Sequence, residues 1–390
     1  MKIHWISDLN LLGSGYMNIS VPLLDGLVQR GHTITCAGLG YKGEEHNHNY
    51  PIIPCSNLKE ALGITQNVGT LLGLDIVIVA LDITLQREFI IAMQGRQFPY
   101  IGIMPLESDP LCMTWAMALM GMDKVFMISE FGTKEVEKSG VQNVEHIRIG
   151  VDTEAWKQPT MEQRSQIRAA LLGEQSKDDF VVLTVADNQE RKHLSKSMKM
   201  FSLFAKDKPN SKYLMVTREH LPIGWFLRDL AQEYGIADKF LLFERGMPFK
   251  ELWSLYAASD VFLLTSKAEG LGLPLLEAMS VGVPCIGTNC TAIAEVLGDD
   301  RGLLIDVDYV HRDPFGNGRR YFADTDHGVE LLNRVYNSSG SLLQNPITRA
   351  YVEGRDWKGA IDAVENAMLE VISRKAANVE PPSEEIVIVE

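Results

Sequence analysis

Short apolar runs that alternate with loops and helix-length segments constrain this chain more than any other feature, because such runs bury both faces only in a parallel sheet flanked by helices. Ile3 to Ser7 is the first. The pattern predicts a glycine-bearing loop at Leu11-Leu12-Gly13-Ser14-Gly15, a helix from Tyr16 to Arg30 closed by Gly31, and a strand from His32 to Ala37. Further strands are predicted at Ile76 to Ala80, Tyr100 to Met104, Lys124 to Ile128 and Val144 to Ile149. The expected fold class is α/β with a doubly wound sheet.

After Val151-Asp152, the stretch Lys157-Gln158-Pro159-Thr160 reads as a linker and Met161 to Leu172 as a polar entry helix. A second series follows. Strands are predicted at Phe180 to Ala186, Lys212 to Val216, Phe240 to Phe243, Val261 to Leu264, Pro284 to Gly287 and Gly302 to Ile305, with helices such as Ser195 to Ala205 and Trp225 to Tyr234 between them. At ~100–200 residues per domain, a chain of 390 residues calls for two Rossmann-like domains, expected at 1–157 and 158–355 and facing across a cleft. Ligands of such sheets bind beyond the carboxyl ends of the strands. Residues 378–390, acidic and carrying Pro381-Pro382, are expected to form a loose tail.

Charge narrows the function classes. The 37 Lys+Arg and 51 Asp+Glu leave a formal net charge of −14, with acidic residues spread along the chain, which disfavours a polyanion-coating role and a nucleic-acid partner. Phosphate chemistry needs only a local cluster of donors. The cysteines, Cys36, Cys55, Cys112, Cys285 and Cys290, form no C-x-x-C pair and no zinc-type spacing, so they read as buried thiols of a reducing compartment. The first residues turn polar too early for a secretory apolar region, and no apolar run approaches the ~20 residues that span a bilayer. A cytoplasmic location is expected, and no metal site.

The stretch from Thr265 to Met279 is the most informative. It follows an apolar strand, places glycines where a backbone must turn close to a ligand, and puts Pro274 near the start of a helix. Glu269 then lies in the strand-to-helix loop and Glu277 early in the helix, so both carboxylates can face a cleft while free N–H groups of the helix start point at an anion.

Glu269 through Glu277, with the intervening Gly-x-Gly-x-Pro, resembles the E-x7-E signature of retaining nucleotide-sugar glycosyltransferases of the GT-B fold, the large family 4 or group 1 set. Val283 to Asn289, Glu295-Val296 and Leu252 to Leu264 are similar to the segments that flank this signature, and Ile149 to Thr153 to the turn that closes the first domain, without its Pro-Asn pair. The likeness covers most of the chain and is weakest between Gly43 and Gly73. It implies that Glu269 contacts the donor sugar and Glu277 the ribose, with Gly270, Leu271 and Gly272 approaching the sugar and diphosphate. It assigns Arg191 and Lys192, within Asn188 to His193 after a strand, to the leaving diphosphate, and Gly13 and Gly15 to closure on donor and acceptor. It further implies that a helix of about 356–375 returns to the first domain, and Trp357, Ile361, Val364 and Met368 supply an apolar stripe that needs a partner.

The chain departs from the family at several places. Cys290-Thr291-Ala292 stands where a Gly-Gly pair is common, which would pass the phosphate contact to Thr291, and Thr217-Arg218 replaces another glycine pair. A histidine of the first domain is absent; Pro105, Glu107 and Asp109 lie near its place, and one of these carboxylates is a candidate for the acceptor hydroxyl. Tyr309 to Phe322 reads as an insertion whose aromatics and arginines suit sugar stacking, or a plain surface loop.

The resemblance therefore implies a metal-independent, retaining transfer of a hexose from a UDP- or GDP-sugar, with no cofactor beyond that donor. The acceptor is open between small molecule, glycan, lipid and protein. A sugar-nucleotide epimerase of the same fold and a catalytically silent sugar-nucleotide-binding protein are the alternatives. Other motifs lack their context. Gly38 to Gly43 fits G-x-G-x-x-G, but Glu44 to Pro54 offers no helix to receive a pyrophosphate. Asp306-Val307-Asp308, Asp324-Thr325-Asp326 and His46-Asn47-His48 read as chance acidic pairs and a solvated loop.

Overall fold

The computed structural model describes residues 1–10, 13–338 and 340–377. The predicted tail 378–390 and Leu11-Leu12 of the first loop lie outside the described residues. The N-terminal half builds a parallel sheet from β1 (Lys2–Asp8), β2 (Thr33–Leu39), β3 (Ile52–Cys55), β4 (Ile76–Ala80), β5 (Tyr100–Met104), β6 (Lys124–Met127) and β7 (Val144–His146), in the order β3-β2-β1-β4-β5-β6-β7. The C-terminal half repeats the design with β8 (Phe180–Val185), β9 (Ser211–Thr217), β10 (Phe240–Glu244), β11 (Val261–Leu264), β12 (Cys285–Thr288) and β13 (Leu303–Ile305), in the order β10-β9-β8-β11-β12-β13. Central strands such as β4, β5 and β11 are buried throughout, as expected of apolar runs covered by helices on both faces.

Two elements between Gly43 and Gly73 escaped the sequence reading. β3 contains Pro54, which pairs with Gly38 and can do so because β3 is an edge strand and the missing N–H faces no neighbour. The helix Leu58–Leu72 follows it, capped by Asn57, whose side chain accepts from the Glu60 N–H. No helix forms between Glu44 and Pro54, so the G-x-G-x-x-G stretch has no helix start behind it.

The segment read as an insertion is an antiparallel hairpin, β14 (Val307–Arg312) with β15 (Arg319–Ala323), that reaches from the C-terminal half to the N-terminal one. The Arg319 N–H donates to the Asp109 carbonyl at 2.8 Å, its guanidinium lies 2.6 Å from Asp109 Oδ2, and the Tyr321 hydroxyl donates to Asp109 Oδ1 at 2.6 Å. Phe315 at the tip meets Trp115 edge to face, with centroids 5.1 Å apart. Asp109 is thus taken up by the hairpin, which leaves Glu107, paired with Arg191, as the cavity-lining candidate of that pair.

The helix Trp357–Ala377 crosses back onto the first helix, Gly15–Gln29. Arg30 pairs with Glu365 at 2.6 Å and with Asp362, and His32 Nε2 lies 2.8 Å from Glu365 Oε1. Gly26 sits where Ile361 crosses, and a Cβ there would collide with the isoleucine. Gly26→Val is expected to destabilise the protein by about 1–3 kcal/mol through overpacking; an unchanged thermal midpoint would show that this seam yields freely. The two chain crossings between halves are themselves bonded, the Val151 N–H to the Arg355 carbonyl at 2.9 Å and Arg355 Nη1 to the Ile149 carbonyl at 3.2 Å. Among the described residues no helix is long and apolar enough to cross a membrane.

Candidate active site

In each sheet the strand order reverses once, between β1 and β4 and between β8 and β11. The carboxyl ends of strands at both reversals open onto one shared cavity of about 940 Å³. From the C-terminal half, Glu269 to Pro274 and Glu277 line it, together with Asp187, Arg191, Lys192, Arg218 and Arg245. The opposing wall carries Gly13, Ser14 and Gly15 after β1, Asp82 and Thr84 after β4, and Pro105 and Glu107 after β5.

The loop after β11 is shaped by its glycines. Gly270 packs so closely on Pro105 that a Cβ would collide with it, which joins the two halves at this point. Gly272 takes φ +87° and turns the chain into the helix Leu273–Val281, whose first turn contains Pro274 and has no side-chain cap. The start of that helix therefore presents its N–H groups and positive dipole end to the cavity.

Behind this loop lies a charged triad. A short 3-10 turn, Glu190–Lys192, follows β8, with Asn188 fully buried and bracing it by exchanging hydrogen bonds with the Trp225 backbone. It aims Lys192 Nζ at Glu269 Oε1 (2.6 Å) and Arg191 Nη1 at Glu269 Oε2 (3.1 Å) and the Ala268 carbonyl (2.6 Å). Arg191 Nη2 also reaches Glu107 Oε1 across the cleft at 2.8 Å. With side chains only 15% and 16% exposed, Arg191 and Lys192 are no solvated surface pair. Burial raises the Glu269 carboxyl, but Lys192 and Arg191 outweigh it and bring the pKa down to about 2. Burial, and Arg191 alongside it, push the Lys192 ammonium down against the pull of Glu269, so an anion arriving here would restore what burial removes.

Glu277 has the opposite balance. It is 9% exposed, its carboxylate accepts from the Tyr256 hydroxyl at 2.7 Å, and burial raises its carboxyl to about 7 despite that bond. A buried carboxyl facing a cavity without a cation beside it is poised for a ligand that brings its own donors.

Of the sequence-predicted residues, Glu269, Glu277, Arg191, Lys192, Gly270, Leu271, Gly272, Gly13 and Gly15 all line this cavity. Thr291 is the correction. It adopts a left-handed φ of 45° at the start of the helix Thr291–Leu297, and its hydroxyl accepts the Glu269 N–H at 2.9 Å, so it stands behind the loop and fixes Glu269 rather than lining the cavity. Sequence reasoning missed Asp187, Arg245 and the wall residues Asp8, Asp82 and Tyr16, and saw Arg218 only as a departure. Arg218 Nε bonds Asp187 Oδ1 at 2.7 Å, and Arg245 reaches both Asp187, at 3.6 Å, and the Gly13 carbonyl of the other half. Their position was the available signal, since Asp8 ends β1 and Arg218 and Arg245 directly follow β9 and β10.

The remaining motifs have structural employment. Asp306 pairs with His327 at 3.0 Å, Asp324 caps the helix Thr325–Asn337, His46 meets Tyr41 edge to face and His48 stacks on Tyr50. Cys285 and Cys290 are buried, and burial pushes both thiols up, Cys290 to about 12. Among the described residues no cluster of three or more His, Cys, Asp or Glu could hold a metal ion.

Two doubly wound parallel sheets that meet across a cleft at their switch points, with a final helix carried back to the first half, define a GT-B architecture. Sucrose-phosphate synthase (tll1590) from Thermosynechococcus elongatus shares this fold with a TM-score of 0.76 at 16% identity, over 96% of this chain and 100% of that one. Anabaena Alr3699/HepE, solved in complex with UDP and glucose, superposes with a TM-score of 0.70 at 15% identity, over 95% and 100%. Residues 172–312 match the family model for glycosyl transferases group 1. O-antigen chain mannosyltransferase B of Escherichia coli is 43% identical over 100 residues, 24% of this chain, so the chain aligns with about a quarter (26%) of that relative's length.

Proposed function

We propose that the protein is a retaining glycosyltransferase that moves a hexose from a UDP- or GDP-sugar to an acceptor hydroxyl without a metal ion. The observation that carries this reading is Glu269 held by Lys192 and Arg191 beside an uncapped helix start, at the carboxyl ends of β8 and β11. A diphosphate bound there meets two fixed cations and free N–H groups, a donor set that neutralises it as a divalent ion would. Glu277 accepts hydrogen bonds from the ribose hydroxyls, and Glu269 contacts the sugar. The group 1 match, relatives named as mannosyltransferases and a structural neighbour solved with UDP and glucose support hexosyl transfer from a nucleotide sugar.

In the reaction the acceptor oxygen bonds to the anomeric carbon while the bond from that carbon to the diphosphate oxygen breaks. The electron pair stays on the departing oxygen, which takes the acceptor proton on the same face of the sugar. Arg191 and Lys192 stabilise the charge that grows there. The unpaired thiols support the cytoplasm as the compartment.

Donor choice is read by thermal shift across UDP-, GDP- and ADP-sugars, followed by product analysis. Product and donor are expected to share one anomeric configuration by proton NMR, with turnover unchanged by EDTA. An inverted linkage overturns the stereochemistry, and activity lost to EDTA and restored by Mg²⁺ or Mn²⁺ overturns metal independence. An isomerised nucleotide sugar would instead identify an epimerase, and tight binding without turnover a silent binding protein.

A further inference from the structure

The two walls of the cavity differ in charge. The lysine and arginines that line it, Arg191, Lys192, Arg218 and Arg245, all come from the C-terminal half, whereas among the described residues the N-terminal half contributes Asp8, Asp82, Glu107 and Asp152, with His48 3.4 Å from Asp25, and no lysine or arginine. Phe315, at the tip of the hairpin β14–β15, also lines the cavity; it is 41% exposed and propped by Trp115. Arg312 bonds the Asn317 carbonyl, Arg319 bonds Asp109, and Arg320, buried and 3.4 Å from Asp313, lies over the Phe315 ring 5.8 Å from its centroid, so none of the three itself lines the cavity.

Resting on the transferase reading above, we propose that the acceptor is an uncharged, hydroxyl-rich sugar whose ring face stacks on Phe315 and whose hydroxyls donate to Asp8, Asp82 and Glu107, and that phosphorylated or carboxylated acceptors are rejected. Carboxylates accept from hydroxyls and do so strongly, whereas a second anion set among them without a cation is repelled. Asp82 uses Oδ1 to cap the helix Ile83–Ala92, which leaves Oδ2 for a ligand. Arg191 reaches Glu107, and burial raises the Asp8 carboxyl while Arg245 and Arg218 pull it down, but each of these cations is already shared with a carboxylate of its own half, Glu269 or Asp187, so none is left over for a second anion. Tyr16, between these carboxylates, keeps its proton because burial, Asp82 and Glu107 hold the phenol well above its ordinary range, so it adds a neutral hydroxyl to the same wall. An aromatic face beside acceptor oxygens fits both the apolar and the polar side of a pyranose.

The full chain is titrated by calorimetry and saturation-transfer NMR with UDP and GDP, then, with the better nucleotide saturating, with neutral methyl pyranosides and short glycans, their 6-phosphates and the matching uronic acids. Neutral sugars are expected to bind at least about tenfold tighter than their anionic counterparts. Phe315→Ala should weaken them about tenfold, Phe315→Trp should restore them, and the nucleotide Kd should stay within about twofold in both. A bound nucleotide with anionic sugars preferred, with no neutral sugar bound, or with Phe315→Ala binding normally overturns this inference and leaves the transferase reading standing. Failure of both UDP and GDP to bind strikes the transferase reading itself.

Discussion

Lys192→Ala is expected to lower turnover about 10²-fold or more, and Arg191→Ala at least as far, since each removes a fixed cation from the place where negative charge grows on the leaving diphosphate. The two differ in what else they release. Lys192 Nζ bonds Glu269, whereas Arg191 holds Glu269, the Ala268 carbonyl and, across the cleft, Glu107. Lys192→Ala should therefore keep a nearly native melting temperature while kcat collapses, and Arg191→Ala should lose both activity and some stability. Rates of donor hydrolysis and transfer, measured beside thermal melts, check this. Near-normal kcat in both variants would remove the pair from the chemistry.

Glu277→Gln is expected to weaken nucleoside diphosphate binding by roughly 1.5–3 kcal/mol, the range for a hydrogen bond to a charged group, which is on the order of 10- to 100-fold. The amide keeps the bond from Tyr256, so the loss reports the charge. Because burial raises the Glu277 carboxyl to about 7, the free protein is substantially protonated at and below neutrality, and ribose binding to the carboxylate releases that proton. Calorimetry in buffers of different ionisation enthalpy should show proton release at pH 6 in the native protein in excess of that in Glu277→Gln. Stability runs the other way. Between the ordinary carboxyl range and about 7 the folded state binds more protons than the unfolded one, so the Glu277 contribution falls as pH rises through that window. Glu277→Gln removes this loss, and its melting temperature relative to the native chain should improve more at pH 8 than at pH 5. Unchanged nucleotide affinity would overturn the ribose assignment.

Most of both sheets was legible because buried parallel strands are written as uninterrupted apolar runs; Ile76–Ala80, Tyr100–Met104 and Val261–Leu264 fall where those runs do. β3 was not, since Pro51 and Pro54 hide a strand that only an edge position permits. The donor-side cluster was visible because Glu269, Glu277, Arg191 and Lys192 sit in local segments directly after strands. The contacts that unite the walls were not, because Arg191 with Glu107 and Arg245 with the Gly13 carbonyl join residues far apart in sequence. Thr291 shows the limit of carrying a position over by resemblance. A glycine there could offer backbone to a phosphate, but a threonine brings a hydroxyl, and that hydroxyl is taken by the Glu269 backbone.

The return of Trp357–Ala377 to the first helix has a consequence for biosynthesis. The first sheet is complete once His146 has been made, yet its covering helix leaves the ribosome roughly 10–40 s later at ~5–20 residues per second. Until then the nascent N-terminal half exposes the seat around Gly26 and Arg30 that Ile361, Asp362 and Glu365 will fill. The two halves therefore do not mature strictly in the order of their translation. The second is finished first, and the helix Gly15–Gln29 waits for Trp357–Ala377 to close it.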